Sequence, residues 1–228
     1  MTRPWETLDR IDTEEGLLEL KRRGGDEFHI LVAGRVLMAS AAHRSEEVVA
    51  EVACRQLAGR KAPRVLIGGL GMGYTLRAAL DALPADARVV VAEITPAVIE
   101  WCRGPLAGLT GDAVADPRAE VVLEDVAELI AEAARSTEAA DKWDAVILDL
   151  YEGPREAYGG DRAPFYGREA LATTRRALAP GGVFAVWSED PDRAFERRLG
   201  AAGFEVQRER PKSGGPRHVV YLATLRKG

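Results

Sequence analysis

Three glycines, Gly69, Gly71 and Gly73, separate an apolar run from a helical pattern in VLIGGLGMGYTLRAAL, residues 65–80. Alternating glycines at a strand-to-helix turn let the backbone approach a ligand closely, in the crevice where open α/β sheets bind. Twenty residues beyond Gly73 the run VVVAEI delivers Glu93, at the spacing of a carboxylate that grips ribose hydroxyls. One strand later, Asp125 in VVLEDVAELI is placed to accept a hydrogen bond from an adenine amino group, to cap the following helix, or to do both. A pyrophosphate-binding G-x-G-x-x-G turn would need its last glycine at Tyr74. The turn therefore suits a nucleoside without pyrophosphate and disfavours a nicotinamide dehydrogenase. A third carboxylate, Asp149, ends the apolar run of WDAVILDLYEGP, and Tyr151 and Glu152 follow it in a loop that should roof the crevice.

These residues need a scaffold, and the hydrophobic pattern supplies one. Short β-rich runs at Val65–Ile67, Val89–Ala92, Glu120–Leu123, Ala145–Leu150 and Val183–Trp187 alternate with helical stretches near Thr75–Leu83, Ala97–Leu106, Val126–Arg135 and Gly167–Leu178. Such alternation predicts a parallel sheet covered by helices on both faces. APGG after Leu178 reads as a helix stop. A further helix over Pro191–Ala202 precedes FEVQRER and HVVYLATL. Their short connection forces an antiparallel pair, because a parallel pair needs a long crossover. Ahead of all this, SEEVVAEVACRQLAG predicts a helix with Ser45 as N-cap and Gly59 at its end. GLLELKRR, EFHILVAG and RVLMAS alternate with period two between glycines, which predicts a small antiparallel strand set. The expected organisation is an N-terminal β region over 1–44 and a nucleoside-binding domain over 45–228.

Bulk properties set the class. With 228 residues, 46% hydrophobic and 29% charged, the chain suits one main domain with a small appendage. A net charge of −5 argues against a broad nucleic-acid surface, and no stretch reaches membrane-spanning length. MTRPWETLDRIDTEEG lacks the apolar core of a signal peptide. Cys54 and Cys102 sit in apolar helical patterns and read as reduced core residues of a cytoplasmic protein. The three histidines are far apart in sequence, so no metal is expected; His29 reads as structural, and Trp101 as a packing residue. Trp187 and Ser188 end a strand near the crevice and are candidates to touch substrate.

Taken together, the glycine turn, AEITPAVIEWCR, DPRAEVVLEDVAELI, DLYEGP and FYGREALATTRRALAPGG resemble the polyamine aminopropyltransferases, the spermidine synthase family, in order and spacing. The resemblance runs from about Gly16 to Trp187 and takes in EFHILVAGRVLMAS as a counterpart of that family's eYHE hairpin. It implies a class I methyltransferase-like doubly wound sheet. Gly69, Gly71, Gly73, Glu93 and Asp125 would bind decarboxylated S-adenosylmethionine, and an amine would be the acceptor. It also implies Asp149 as the base that takes the amine's proton, Tyr151 and Glu152 as assisting or amine-binding groups, and a homodimer.

The chain departs from the family pattern at three points. Met72 stands where the family's loop has an Asp facing the aminopropyl ammonium. Glu152 replaces a second Asp, with Gly153 before Pro154. The N-terminal strand region is short, and little follows the last strand. Met72 reads most simply as core filler. Its lack of charge also leaves open a small-molecule methyltransferase using intact S-adenosylmethionine. A non-catalytic nucleoside- or partner-binding protein is the third reading, since fold alone does not fix function.

Overall fold

The computed structural model describes residues 3–150, 153–154, 163–211 and 218–225. The first four strands, β1 (Glu6–Thr13), β2 (Gly16–Arg23), β3 (Glu27–Val32) and β4 (Arg35–Ala39), form an antiparallel sheet in sequence order. Its strand β1 was not expected. ETLDRIDT carries only two large apolar side chains, Leu8 and Ile11, and both pack against the main core. A register shift between Thr7 and Asp9 breaks the strict alternation by which a strand is recognised.

Helix α1 (Arg44–Arg55) leads into a seven-stranded sheet. Its strands are β5 (Arg64–Gly68), β6 (Arg88–Glu93), β7 (Ala119–Leu123), β8 (Trp143–Leu148), β9 (Leu178–Ser188), β10 (Phe204–Glu209) and β11 (Val219–Leu225). They lie in the order β10-β11-β9-β8-β5-β6-β7, and β11 runs antiparallel to both neighbours. Helices α2 (Tyr74–Ala82), α3 (Pro96–Arg103), α4 (Val126–Arg135), α5 (Arg168–Ala177) and α6 (Arg193–Ala201) complete the fold. Successive strand residues alternate between two cores. Val65, Ile67, Ala145 and Ile147 face α1, α2 and α3, whereas Leu66, Val146 and Leu148 face α4, α5 and α6. This two-sided burial is why the parallel strands read as nearly continuous apolar runs. The α/β doubly wound architecture expected from the sequence is present, with the antiparallel strand where the tail predicted it.

Several element ends differ from the sequence reading. Helix α1 starts at Arg44 with His43 in the cap position. Ser45 is buried inside the first turn and donates to Glu46 Oε2 at 2.7 Å. His43 takes the cap position because its ring stacks on Tyr74, with centroids 4.1 Å apart. APGG is not a loop but part of β9: Trp143 pairs with Leu178 and Ala145 with Val183, and the residues between make an irregular excursion of the strand. Helix α6 begins at Arg193 because the Asp192 carboxylate accepts the Ala194 N–H at 2.7 Å.

The chain folds back on itself between β7 and β8. It runs outward through β5, β6 and β7, then returns to lay β8 on the other side of β5. The crevice for a ligand therefore opens at the carboxyl ends of β5 and β8. The small sheet is fastened near this edge. Trp101 of α3 donates its Nε1–H to Asp9 of β1 at 2.8 Å, and Cys102 Sγ lies 3.3 Å from the Gly71 carbonyl oxygen. Cys54 and Cys102 are free and buried, and burial pushes both thiols up to about 12. Trp101→Phe keeps the ring packing but leaves Asp9 without this donor. It should lower stability by about 1 kcal/mol in denaturant unfolding, with circular dichroism unchanged.

Candidate active site

Backbone contact between two loops builds the centre of the site. The Asp149 N–H donates to the Gly68 carbonyl at 3.0 Å, and the Gly69 N–H donates to Ala92 at 2.9 Å. A Cβ on Gly69 would stand 2.5 Å from the Asp149 carbonyl oxygen, and Gly69 has a φ of +91°. Both the space and the backbone conformation exclude a side chain there. Gly71 and Gly73 also have positive φ, so the turn is tight throughout and leads directly into α2.

Glu93, 9% exposed, ties this turn to β6. One carboxylate oxygen accepts the Leu70 N–H at 3.0 Å and the other accepts the Thr95 N–H at 2.8 Å. Each oxygen keeps one lone pair, so the group can hold the loop and still accept from a ligand's hydroxyls. Asp125 is exposed and caps α4 through Ala127 N–H at 2.9 Å. Between these carboxylates, Ile94 is 71% and Leu123 is 57% exposed. Two bare apolar side chains at adjacent strand ends offer a flat ring a surface to cover. The sequence reading missed them, although Ile94 immediately follows Glu93.

Asp149 sits across the crevice. The residue is half-buried, but its carboxyl is enclosed: burial pushes it up to about 7, the charge of Glu46 on α1 pushes the same way, and a hydrogen bond from Thr75 pulls it down. Thr75 and Glu46 were not singled out in the sequence. They reach Asp149 from α2 and α1, and no local pattern connects such distant positions. Tyr74 lies deeper, with its hydroxyl 3.3 Å from the Ser40 carbonyl oxygen; burial, helped by Glu46 and Glu47, pushes it up to about 12. Met72 is 1% exposed within the main core, as its apolar character suggested, and presents no group to the crevice.

The remaining candidates are scattered. Tyr151 and Glu152 lie outside the described residues. Leu148 is paired with Val186, so Asp149 and Trp187 come next on neighbouring strands. The Trp187 ring meets His218 with centroids 5.2 Å apart. Ser188 is fully buried and donates to the Asp190 carbonyl at 2.7 Å. His29 packs on Trp5 with ring centroids 4.1 Å apart, and burial lowers its pKa. Among the described residues, no group of three His, Cys, Asp or Glu side chains is arranged to hold a metal, and no helix is long and apolar enough to cross a membrane. A groove of about 670 Å³ beside Cys54, Gly59, Arg60 and Leu83 lies at the amino ends of the strands, away from this constellation.

Residues 43–196 match the spermine/spermidine synthase domain. The chain belongs to that family. The match begins at His43, so the N-terminal strands, including EFHILVAGRVLMAS, fall outside it. Over 120 residues the chain is 39% identical to the polyamine aminopropyltransferase of Pyrobaculum calidifontis, covering 52% of this chain and 39% of that protein. Over 169 residues it is 30% identical to the polyamine aminopropyltransferase of Mycobacterium tuberculosis, covering 74% of this chain and 30% of the relative. The match thus spans well under half the length of these relatives. In structure, spermidine synthase from Thermotoga maritima superimposes with a TM-score of 0.73 at 20% identity, over 96% of this chain and 72% of that one. A spermidine synthase in complex with the transition state analogue AdoDATO gives a TM-score of 0.72 at the same identity and coverage. Both share the methyltransferase-like fold.

The enclosed carboxyl makes stability depend on pH with a definite sign. Its ordinary value is 3.8 and its folded value about 7, so between these the folded chain holds a proton that the unfolded chain has shed. Stability from this group is fully present below pH 4 and falls as pH rises through 7. Asp149→Asn should abolish this dependence and raise the melting temperature at pH 8 by roughly a few degrees, read by thermal scans at pH 5 and pH 8.

Proposed function

We propose that this chain is an aminopropyltransferase that moves the aminopropyl group of decarboxylated S-adenosylmethionine to a small amine, with Asp149 as base. The observation that carries the reading is the Asp149 carboxyl, enclosed and raised to about 7, on the residue whose backbone is bonded to the glycine turn at the carboxyl end of β8. Family membership supports the same chemistry. In this reading Gly69, Gly71 and Gly73 let the backbone close on the nucleoside, Glu93 accepts from the ribose hydroxyls, and Asp125 accepts from the adenine amino group. Ile94 and Leu123 cover the ring. Tyr151 and Glu152, next in sequence after the base, assist it or bind the amine. The enzyme acts in the cytoplasm as a homodimer.

The chemistry follows from the base. An alkylammonium has a pKa of about 10 and is not a nucleophile until it loses a proton. Asp149, with a value near neutrality, is matched to take that proton at neutral pH. The freed nitrogen lone pair forms a bond to the methylene carbon next to the sulfonium. The carbon–sulfur bond breaks, and its electron pair leaves with sulfur as a neutral thioether. Glu93, Asp125 and Asp149 lie at the carboxyl ends of neighbouring strands, and in this reading their negative potential favours the two cations that must meet.

One observation favours a second reading. Met72 is buried and apolar at the loop position where the family's Asp would face the aminopropyl ammonium, so intact S-adenosylmethionine meets no repulsion there. Calorimetric titration separates the two: tighter binding of the decarboxylated form is expected, tighter binding of the intact form makes the protein a methyltransferase, and binding of neither overturns the nucleoside site. With an active amine acceptor in hand, Asp149→Asn should lower kcat by about 10²–10⁴-fold. Wild-type kcat/KM should climb with pH through about 7 as Asp149 ionises.

A further inference from the structure

Thr75 Oγ1 stands between two acceptors. It is within hydrogen-bond distance of Asp149 Oδ2 and lies 3.3 Å from the backbone carbonyl oxygen of Glu46. The residue is 2% exposed, so no solvent water offers an alternative, and a hydroxyl carries a single proton. When Asp149 is ionised, its oxygen can only accept, and the Thr75 proton must point to it. When Asp149 is protonated, it becomes a donor to Thr75 Oγ1, whose own proton is then free to turn to the Glu46 carbonyl. One torsion of one buried hydroxyl thus satisfies the carboxyl in both of its states.

We infer that Thr75 is the positioning residue of Asp149, a rotor that keeps the carboxyl hydrogen-bonded and oriented before and after it takes a proton. The inference rests on the reading of Asp149 as the base for its catalytic meaning, but not for its physics. Of the titratable groups on the elements packed around the carboxyl (His43, Glu46 and Glu47 on α1, Tyr74 on α2, Glu93 ending β6), Glu46 is the one whose charge acts on it. Glu47 is shared by His43 and Arg44, at 2.9 Å and 2.7 Å, and Glu93 is held by the Leu70 and Thr95 N–H groups. The side chain of Glu46 itself accepts only from Ser45 among the described residues. Thr75 is therefore the described side chain that donates to the base, against a neighbouring negative charge that opposes its ionisation.

The sign of one titration tests this. A hydroxyl that serves both states bonds the carboxylate more strongly than the acid, because that bond is charge-assisted, and so lowers the carboxyl's pKa, whereas a hydroxyl fixed on the Glu46 carbonyl would serve only the protonated acid and raise it. The Asp149 carboxyl is followed by ¹³C NMR across pH 4–9 in the wild type, Thr75→Val and Thr75→Ser, with Asp149→Asn to assign the resonance. Thr75→Val, of the same shape, should move the midpoint up by about one pH unit, a tenfold change in ionised fraction at a given pH below it. Thr75→Ser should titrate like the wild type. Thr75→Ala replaces the valine if that variant does not fold. No shift, or a downward shift, in the hydroxyl-free variant overturns the proposal. The titration needs no substrate, so it decides the role of Thr75 even if no aminopropyl transfer is found. Where transfer is found, the acid limb of kcat/KM should move by the same amount in Thr75→Val and return in Thr75→Ser.

Discussion

Gly69 lacks a side chain because the Asp149 carbonyl oxygen occupies the space a Cβ would need, 2.5 Å from where that atom would sit. Two loops that cross this closely cannot slide independently. The turn after β5 and the segment after β8 are therefore one rigid unit, joined again by the bond from Asp149 N–H to Gly68. Everything with chemical potential hangs from that unit. The glycine turn leads straight into α2, whose second residue, Thr75, hydrogen-bonds the carboxyl. Leu70 in the same turn gives its N–H to Glu93 and so fixes the adjacent strand end. A carboxyl can be kept from water only where its surroundings cannot relax, and this crossing supplies that stiffness.

The scaffold was largely legible in the chain because parallel strands buried on both faces leave a strong local trace. Val65–Ile67 and Ala145–Leu148 are short, apolar, β-rich runs with turn residues at their ends, and they pair side by side. Strand β1 left no such trace, since its polar residues and shifted register hide the two side chains that anchor it. The cap of α1 was misread for a similar reason. Ser45 is a better capping residue than His43 by type, but the His43 ring has Tyr74 to stack on, and a contact across 31 residues has no local signature. Tertiary packing overrode local preference at both places.

The site divides along the same line. Glu93, Asp125 and Asp149 could be singled out as candidates because each ends or closely follows a strand, and strand ends are visible. What surrounds Asp149 could not, because Thr75 and Glu46 come from two helices and meet only in space. The structure gives Glu93 a duty that its place in the sequence did not reveal: its carboxylate secures the glycine turn. Met72 shows how a departure from a family pattern can be a packing event. The loop position that bears a charge in the family pattern is turned into the core here.

The sheet order has a consequence for how the chain comes into being. Among the described residues, strand β10 is bonded to the rest of the sheet only through β11, which lies between it and β9. A chain emerging from the ribosome exposes the edge of β9 and an unpaired β10 until β11 arrives to slot between them. The two open edges are then most prone to pair wrongly, with each other in register-shifted form or with a neighbouring nascent chain. Closure of this sheet thus waits for β11, the last of its strands in chain order.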